Sequence, residues 1–217
     1  MEGQIELRGG PAWGYVPPFR AEERQRLSVV ASARSWVGER VMLAAEWAWL
    51  RDHEGQLDPV SGPGDLRLGT LLHVVNLGDL AIFAGWEVKL PDARDEGELG
   101  TDETDVLLGG GVAWGRGPWS VVAAGGLGIL GNPLKFANQD DVPMLRVSGA
   151  WQRGAWAVSP SLVVDLDTAR NPLRMHAATE ARWGAPLYVQ VMGTAGLSRA
   201  DADASVLVGA GWHFGAP

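Results

Sequence analysis

The sequence contains no cysteine, so disulfides, thiolate metal sites and a cysteine nucleophile are excluded. It has no basic run, and its formal net charge is −8, which argues against nucleic acid as a partner. It also lacks a credible membrane helix. An uncharged stretch at 117–134 holds Pro118, Pro133 and the pair Gly125-Gly126, and such a run is short and a poor helix former. No secretory signal is visible: Met1-Glu2-Gly3 leads straight into the strand-like segment Gln4–Gly9. The expectation is a mature chain behind a new initiator methionine, its signal peptide absent.

What the chain has instead is glycine, tryptophan and alternation. There are 30 Gly and 11 Trp in 217 residues, and glycine at about twice its usual share disfavours a helical domain. Leu80, Ile82, Ala84, Trp86, Val88 and Leu90 alternate with Asp79, Ala81, Phe83, Gly85, Glu87 and Lys89. A period of two with one apolar face reads as a strand. An acidic loop, Asp92–Thr104, leads to a second strand, Asp105–Trp114, and the turn Gly115–Pro118 leads to a third from Trp119. The same unit recurs along the chain. It predicts strands over Gln4–Gly10, Leu27–Trp36, Val41–Leu50, Asp65–Val75, Leu80–Leu90, Asp105–Trp114, Trp119–Leu130, Val142–Trp151, Trp156–Asp167, Arg174–Trp183, Leu187–Leu197 and Ala204–Phe214. Short turns and long loops alternate between them, the wiring of an up-and-down antiparallel barrel. The expected fold is all-β: a transmembrane barrel of about twelve strands, one domain over residues 1–217, with both chain ends on the short-turn side. Pro160 falls inside a strand and predicts a bulge or a missing ladder bond there.

Three features favour lipid over water outside this barrel. Trp36, Trp86, Trp114, Trp119, Trp151, Trp156, Trp183 and Trp212 recur beside the short turns. On the strand phases they are expected on the apolar face, as a girdle with the indole body in lipid and the N–H near water. The opposite face carries Arg34, Glu46, Arg67, Glu87, Lys89, Arg146, Asp165, Asp167, His176, Glu180 and Arg182. Side chains fill a barrel of up to about eight strands, so a wider one is better served by water inside and lipid outside. Finally, Leu207-x-Gly209-x-x-Trp212-x-Phe214 resembles the terminal-strand signal of bacterial outer-membrane barrels, which implies recognition by the assembly machinery through Trp212 and Phe214. It departs from that signal in opening with an apolar residue, Leu207, and in running on to Pro217.

Gly78-Asp79-Leu80 through Lys89-Leu90-Pro91, then Leu99-Gly100-Thr101 and the strand from Asp105, resemble the outer-membrane barrel family named for the meta-cleavage pathway of phenol degradation. The resemblance covers about fifty residues plus the terminal strand, and implies a passive channel for small solutes in a bacterial outer membrane. It identifies no solute and no binding residue.

The residues themselves suggest little chemistry. No Ser is placed to pair with His53, His73, His176 or His213, as a hydrolase would need. His176 with Asp165 and Asp167 has the donor types of a divalent-cation site, but a hydrated lumen network is the plainer reading. No enzyme activity, cofactor or metal is expected. Inward carboxylates outnumber inward basic groups, which predicts a narrow lumen with a mild preference for cations. Small residues at Gly109, Gly111, Ala124, Gly126, Gly128, Gly209 and Gly211 predict a bare wall, left open as an off-centre conduit or covered by an inward-folded loop. Two other readings remain: a non-conducting structural or lipid-handling barrel with a plugged lumen, and a soluble all-β binding protein.

Overall fold

A computed structural model describes residues 2–15, 24–53, 58–92, 99, 104–131, 140–165, 174–198 and 204–215. All of its regular structure is β: β1 (Glu2–Tyr15), β2 (Arg24–Val37), β3 (Val41–His53), β4 (Val60–Pro63), β5 (Leu66–Leu77), β6 (Leu80–Leu90), β7 (Asp105–Arg116), β8 (Trp119–Leu130), β9 (Asp140–Arg153), β10 (Trp156–Asp165), β11 (Arg174–Gly184), β12 (Leu187–Gly196) and β13 (Ala204–Phe214).

Every pairing is antiparallel and joins sequence neighbours, except where β3 pairs with β5 past the short β4 and where β1 meets β13 and closes the ring. β4 extends the line of β5. It takes the upper half of β3, with Trp49 opposite Pro63, while β5 takes the lower half, with Glu46 opposite Arg67. Gly64 bridges the two by donating its N–H to the Ala48 carbonyl at 2.8 Å. The result is a closed barrel of twelve strands with β4 as the extra piece. Closure pairs each of the twelve ring strands on both sides, the condition for β-structure in lipid, and only β4 has one partner.

The predicted strands match the observed ones to within three residues, except that β1 runs on to Tyr15 instead of ending at Gly10 and that β4 falls where a loop was expected. The short turns sit at 38–40, 78–79, 117–118, 154–155 and 185–186. Gly38 and Gly78, at φ 67° and 65°, reverse the chain in a conformation that a Cβ disfavours. Glu2 and Phe214 end at the same rim as these turns, with Gly3 opposite Phe214.

Two local departures have physical causes. At Pro160 the β10–β11 register is unbroken, but the β10–β9 ladder skips from Val158 to Ser161. The missing N–H interrupts the ladder without adding a residue. A bulge lies instead in β5 between His73 and Val75. Val74 and Val75 are both exposed; two consecutive apolar residues reach the outer face when one is left out of the pairing.

The apolar stripe faces outward. Ile5, Leu7, Leu72, Val147, Val189 and Val208 are all more than two-fifths exposed, whereas Glu6, Ser32, Lys89 and Gln190 are buried. The apolar core among the described residues is small and lies at the long-loop end, where Leu99 packs with Leu50 and Ala48.

Candidate conduit lining

Residues directly opposite each other in an antiparallel ladder point to the same face. Glu6, Ser32, Glu46, Arg67, Lys89 and Asp105 are opposite one another in turn, from β1 through β2, β3, β5 and β6 to β7. They form one polar band that climbs the inner wall. The sequence alternation puts each on the polar face, and the register makes them neighbours.

Most charges on this wall are paired. An Arg8 guanidinium nitrogen donates to Glu46 at 3.0 Å, and Arg67 donates to Glu87 at 2.9 Å. Lys89 Nζ is 2.6 Å from Asp105 and 3.7 Å from Asp65. Arg26 donates twice to Asp52, both at 2.7 Å. Arg182 Nε lies 3.0 Å from a Glu180 carboxylate oxygen as an ion pair, and its guanidinium stands 5.4 Å from the Tyr188 ring centroid. Two lumenal arginines, Arg34 and Arg146, have no carboxylate within ion-pair distance among the described residues.

A second cluster spans the seam where the chain closes. Tyr188 of β12 reaches across β13 and donates its hydroxyl to Glu6 of β1 at 2.5 Å, and Gln4 donates to the same carboxylate at 3.1 Å. Gly211 lies between the two strands, opposite both Tyr188 and Glu6, and a Cβ there would collide with the tyrosine hydroxyl. Gly209 makes the same room for the Arg8 stem, whose Cγ lies 2.8 Å from where its Cβ would be. The small residues of β13 are thus covered by their neighbours' side chains. On β7 and β8, Phe83 lies over Gly111, while the atoms nearest to Gly109 and Gly126 are backbone. Sequence reasoning did not single out Tyr188 or Gln190 as lining residues. The signal for both was their shared phase opposite Gly211 and Gly209.

Among the described residues, two cavities lie along the inner wall. One, of about 670 Å³, lies at the short-turn rim and is lined by Glu2, Trp36, Leu71, His73 and Phe83 among others. The other, of about 150 Å³, lies on the β8–β12 side and includes Arg146, Glu180 and four serines.

The predicted girdle residues are not all in one place. Trp114, Trp119, Trp156, Trp183 and Trp212 are exposed outward near the short turns, and Trp151 is half-buried opposite Trp119. Trp156 and Trp183 are ladder partners with ring centroids 6.2 Å apart. Trp36 corrects the expected phase: it shares the inward face of Ser32 and Arg34 and lines the rim cavity. Trp86 faces outward but sits well along β6, opposite Thr70 and Leu108, away from its turn. Trp13 and Trp49 are exposed at the long-loop end. There the Trp47 indole N–H donates to Asp92 at 3.2 Å. The backbone of Asp165 pairs with Arg174, and His176 pairs with Val163; the Asp165 side chain and all of Asp167 lie outside the described residues.

No protein-family model matches the chain, and no curated protein sequence matches it. Solved structures do share its fold. It is similar to a KdgM porin, with 9% identity, TM-score 0.64 and coverage of 98% of this chain and 99% of that one. It is equally similar to a NanC porin, with 8% identity, TM-score 0.64 and coverage of 98% and 100%. The translocator domain of the autotransporter NalP from Neisseria meningitidis gives 14% identity and TM-score 0.55, over 98% of this chain and 87% of that one. The chain therefore has the closed antiparallel barrel fold found in outer-membrane porins.

Proposed function

We propose that this protein is an outer-membrane channel that passes small hydrophilic solutes passively through a narrow, charged lumen. One observation carries the reading. The barrel is inside out relative to a soluble protein, with Leu7, Val147 and Val208 facing out and Glu6, Lys89 and Gln190 facing in. An apolar exterior of this kind needs hydrocarbon around it, and a polar interior of twelve strands exceeds what side chains fill. The bare stretch at Gly109 and Gly126, facing walls of long paired side chains, is the proposed path. Six outward indoles, Trp114, Trp119, Trp151, Trp156, Trp183 and Trp212, are proposed as the short-turn belt at the lipid–water interface. Trp212 and Phe214 are the proposed contact with the assembly machinery. The residues from Gly78 to Thr101 that resemble the meta-pathway barrel family support transport rather than catalysis.

The mild cation preference drawn from the excess of carboxylates in the sequence counts Asp79, which lies in a turn, and Asp165 and Asp167. Pairing weakens it further, because the inward carboxylates Glu6, Glu46, Asp52, Asp65, Glu87, Asp105 and Glu180 each have a cation within 4 Å. The proposal is therefore a weakly selective path. The competing reading, a barrel plugged by these pairs, draws on Gln190, which is 1% exposed. Planar-bilayer recording separates the two: discrete current steps support the channel, and a refolded barrel that inserts without steps supports the plug.

A further inference from the structure

The unpaired guanidinium of Arg146 lies in the 150 Å³ lumenal cavity with Ser120, Ser148, Ser159 and Ser161. Arg146 and Ser148 stand on β9, one strand from Ser159 and Ser161 on β10 and from Ser120 on β8. Ser148 is directly opposite both Ser161 and Val122, and Ser120 is opposite Ala150. None of these four hydroxyls has a protein partner among the described residues. One carboxylate, Glu180, shares the cavity, but it is held by Arg182 at 3.0 Å. With that pair cancelled, the cavity keeps one net positive charge. A guanidinium presents donors in a planar fork that matches two oxygens of an oxyanion, and serine hydroxyls rotate to donate as the ligand requires.

We propose that Arg146 and these four serines form a binding step for a small oxyanion, a carboxylate or a phosphate, on its way through the lumen. The proposal deepens the channel reading and rests on it for its biological meaning. It inverts the sign of selectivity expected from the sequence. Among the described residues, Arg146 on β9 and Arg34 on β2 have no carboxylate within 4 Å, although Arg34 still acts electrostatically on Glu6, and the two stand on opposite sides of the ring of strands.

The test uses the full chain refolded in a neutral detergent, titrated with inorganic phosphate and separately with acetate at low ionic strength, and read by calorimetry. The wild type is expected to bind at least one of the two saturably. Arg146→Gln is expected to weaken that binding roughly tenfold or more, the scale of a charge-assisted hydrogen bond. Arg146→Lys keeps the charge without the fork and should lie in between, and Ser148→Ala should weaken binding several-fold. Heat-modifiable gel migration verifies that each variant is folded. Phosphate binding without acetate binding assigns the site to the tetrahedral anion, and the reverse assigns it to the carboxylate. No saturable binding by the wild type, or equal binding by folded Arg146→Gln, overturns the proposal. Bilayer recording keeps the two readings apart. Binding that depends on Arg146 in a barrel without current steps removes the channel and leaves the site. Steps with an anion–cation permeability ratio unchanged by Arg146→Gln, alongside absent binding, remove the site and leave the channel.

Discussion

Tyr188 is 3% exposed inside a barrel whose interior is polar, because its phenol end occupies the space that a side chain at position 211 would fill and its hydroxyl ends on Glu6. That bond ties the twelfth strand in sequence to the first across the thirteenth, so it acts on the closure seam. Tyr188→Phe keeps the ring and removes the donor, leaving a buried carboxylate short of one hydrogen bond. We expect a loss of about 1–3 kcal/mol, measured as a lower urea midpoint for the refolded barrel by tryptophan fluorescence. Gly211→Val should cost more, since its side chain would also crowd the Ile5 carbonyl oxygen, 2.9 Å from the position of a Cβ. The inward position of Glu6 and Arg8 was readable from alternation. Their partners were not, because Tyr188–Glu6 and Arg8–Glu46 each bridge two strands and depend on register. Trp36 was misread for a related reason: an aromatic near a turn suggests an interface, yet phase decides which side of the wall it occupies.

At the scale of the strand, the period of two does most of the work. Leu145 and Met144 are neighbours on β9 with opposite fates: Leu145 is 48% exposed on the outer face, and Met144 shares the inner phase of Arg146 and Ser148. Leu145→Arg should therefore destabilise the barrel by about 2–4 kcal/mol near the bilayer midplane. Met144→Arg, facing the lumen beside Gly126, its ladder partner, should cost far less. Equal losses in chemical-denaturation curves from lipid vesicles would contradict the assigned faces. Strand positions were legible because glycine turns and alternation reinforce each other, as at Leu77-Gly78-Asp79-Leu80. The β5 bulge was less so, since only the doublet Val74-Val75 marks it. The break between β4 and β5 was hidden because Val60–Pro63 reads as part of a Gly- and Pro-rich loop. Leu99 was legible only as part of an acidic connection. Its packing against Leu50 and the open side of Gly62 places that residue on the β3–β4 side, away from the bare glycines of β7 and β8.

The whole molecule is a ring in which sequence order and spatial order coincide, and β1 is distinguished from the other strands only by where the chain is cut. Gly3 is opposite Phe214, so a short glycine-containing linker between the ends would resemble the five existing short turns. A circular permutant joined there and reopened between β8 and β9 should keep all twelve barrel strands and refold in detergent to the same heat-modifiable form. Exchange of ends of this kind is tolerated where termini lie close together at a surface. The same permutant isolates the proposed role of the terminal strand. It moves Trp212 and Phe214 from the last strand to an internal one without altering their outward or rim positions in the finished barrel. If the assembly machinery reads these residues only in the final strand, the permutant should refold in vitro yet fail to accumulate in outer membranes, as measured by protease protection in cells. Efficient insertion in cells would instead mean that barrel closure alone is sufficient, and that Trp212 and Phe214 serve only the lipid interface. Failure of the permutant to refold in detergent would separate from both outcomes, because it would assign β1–β13 pairing a place in folding order that the symmetric ring does not suggest.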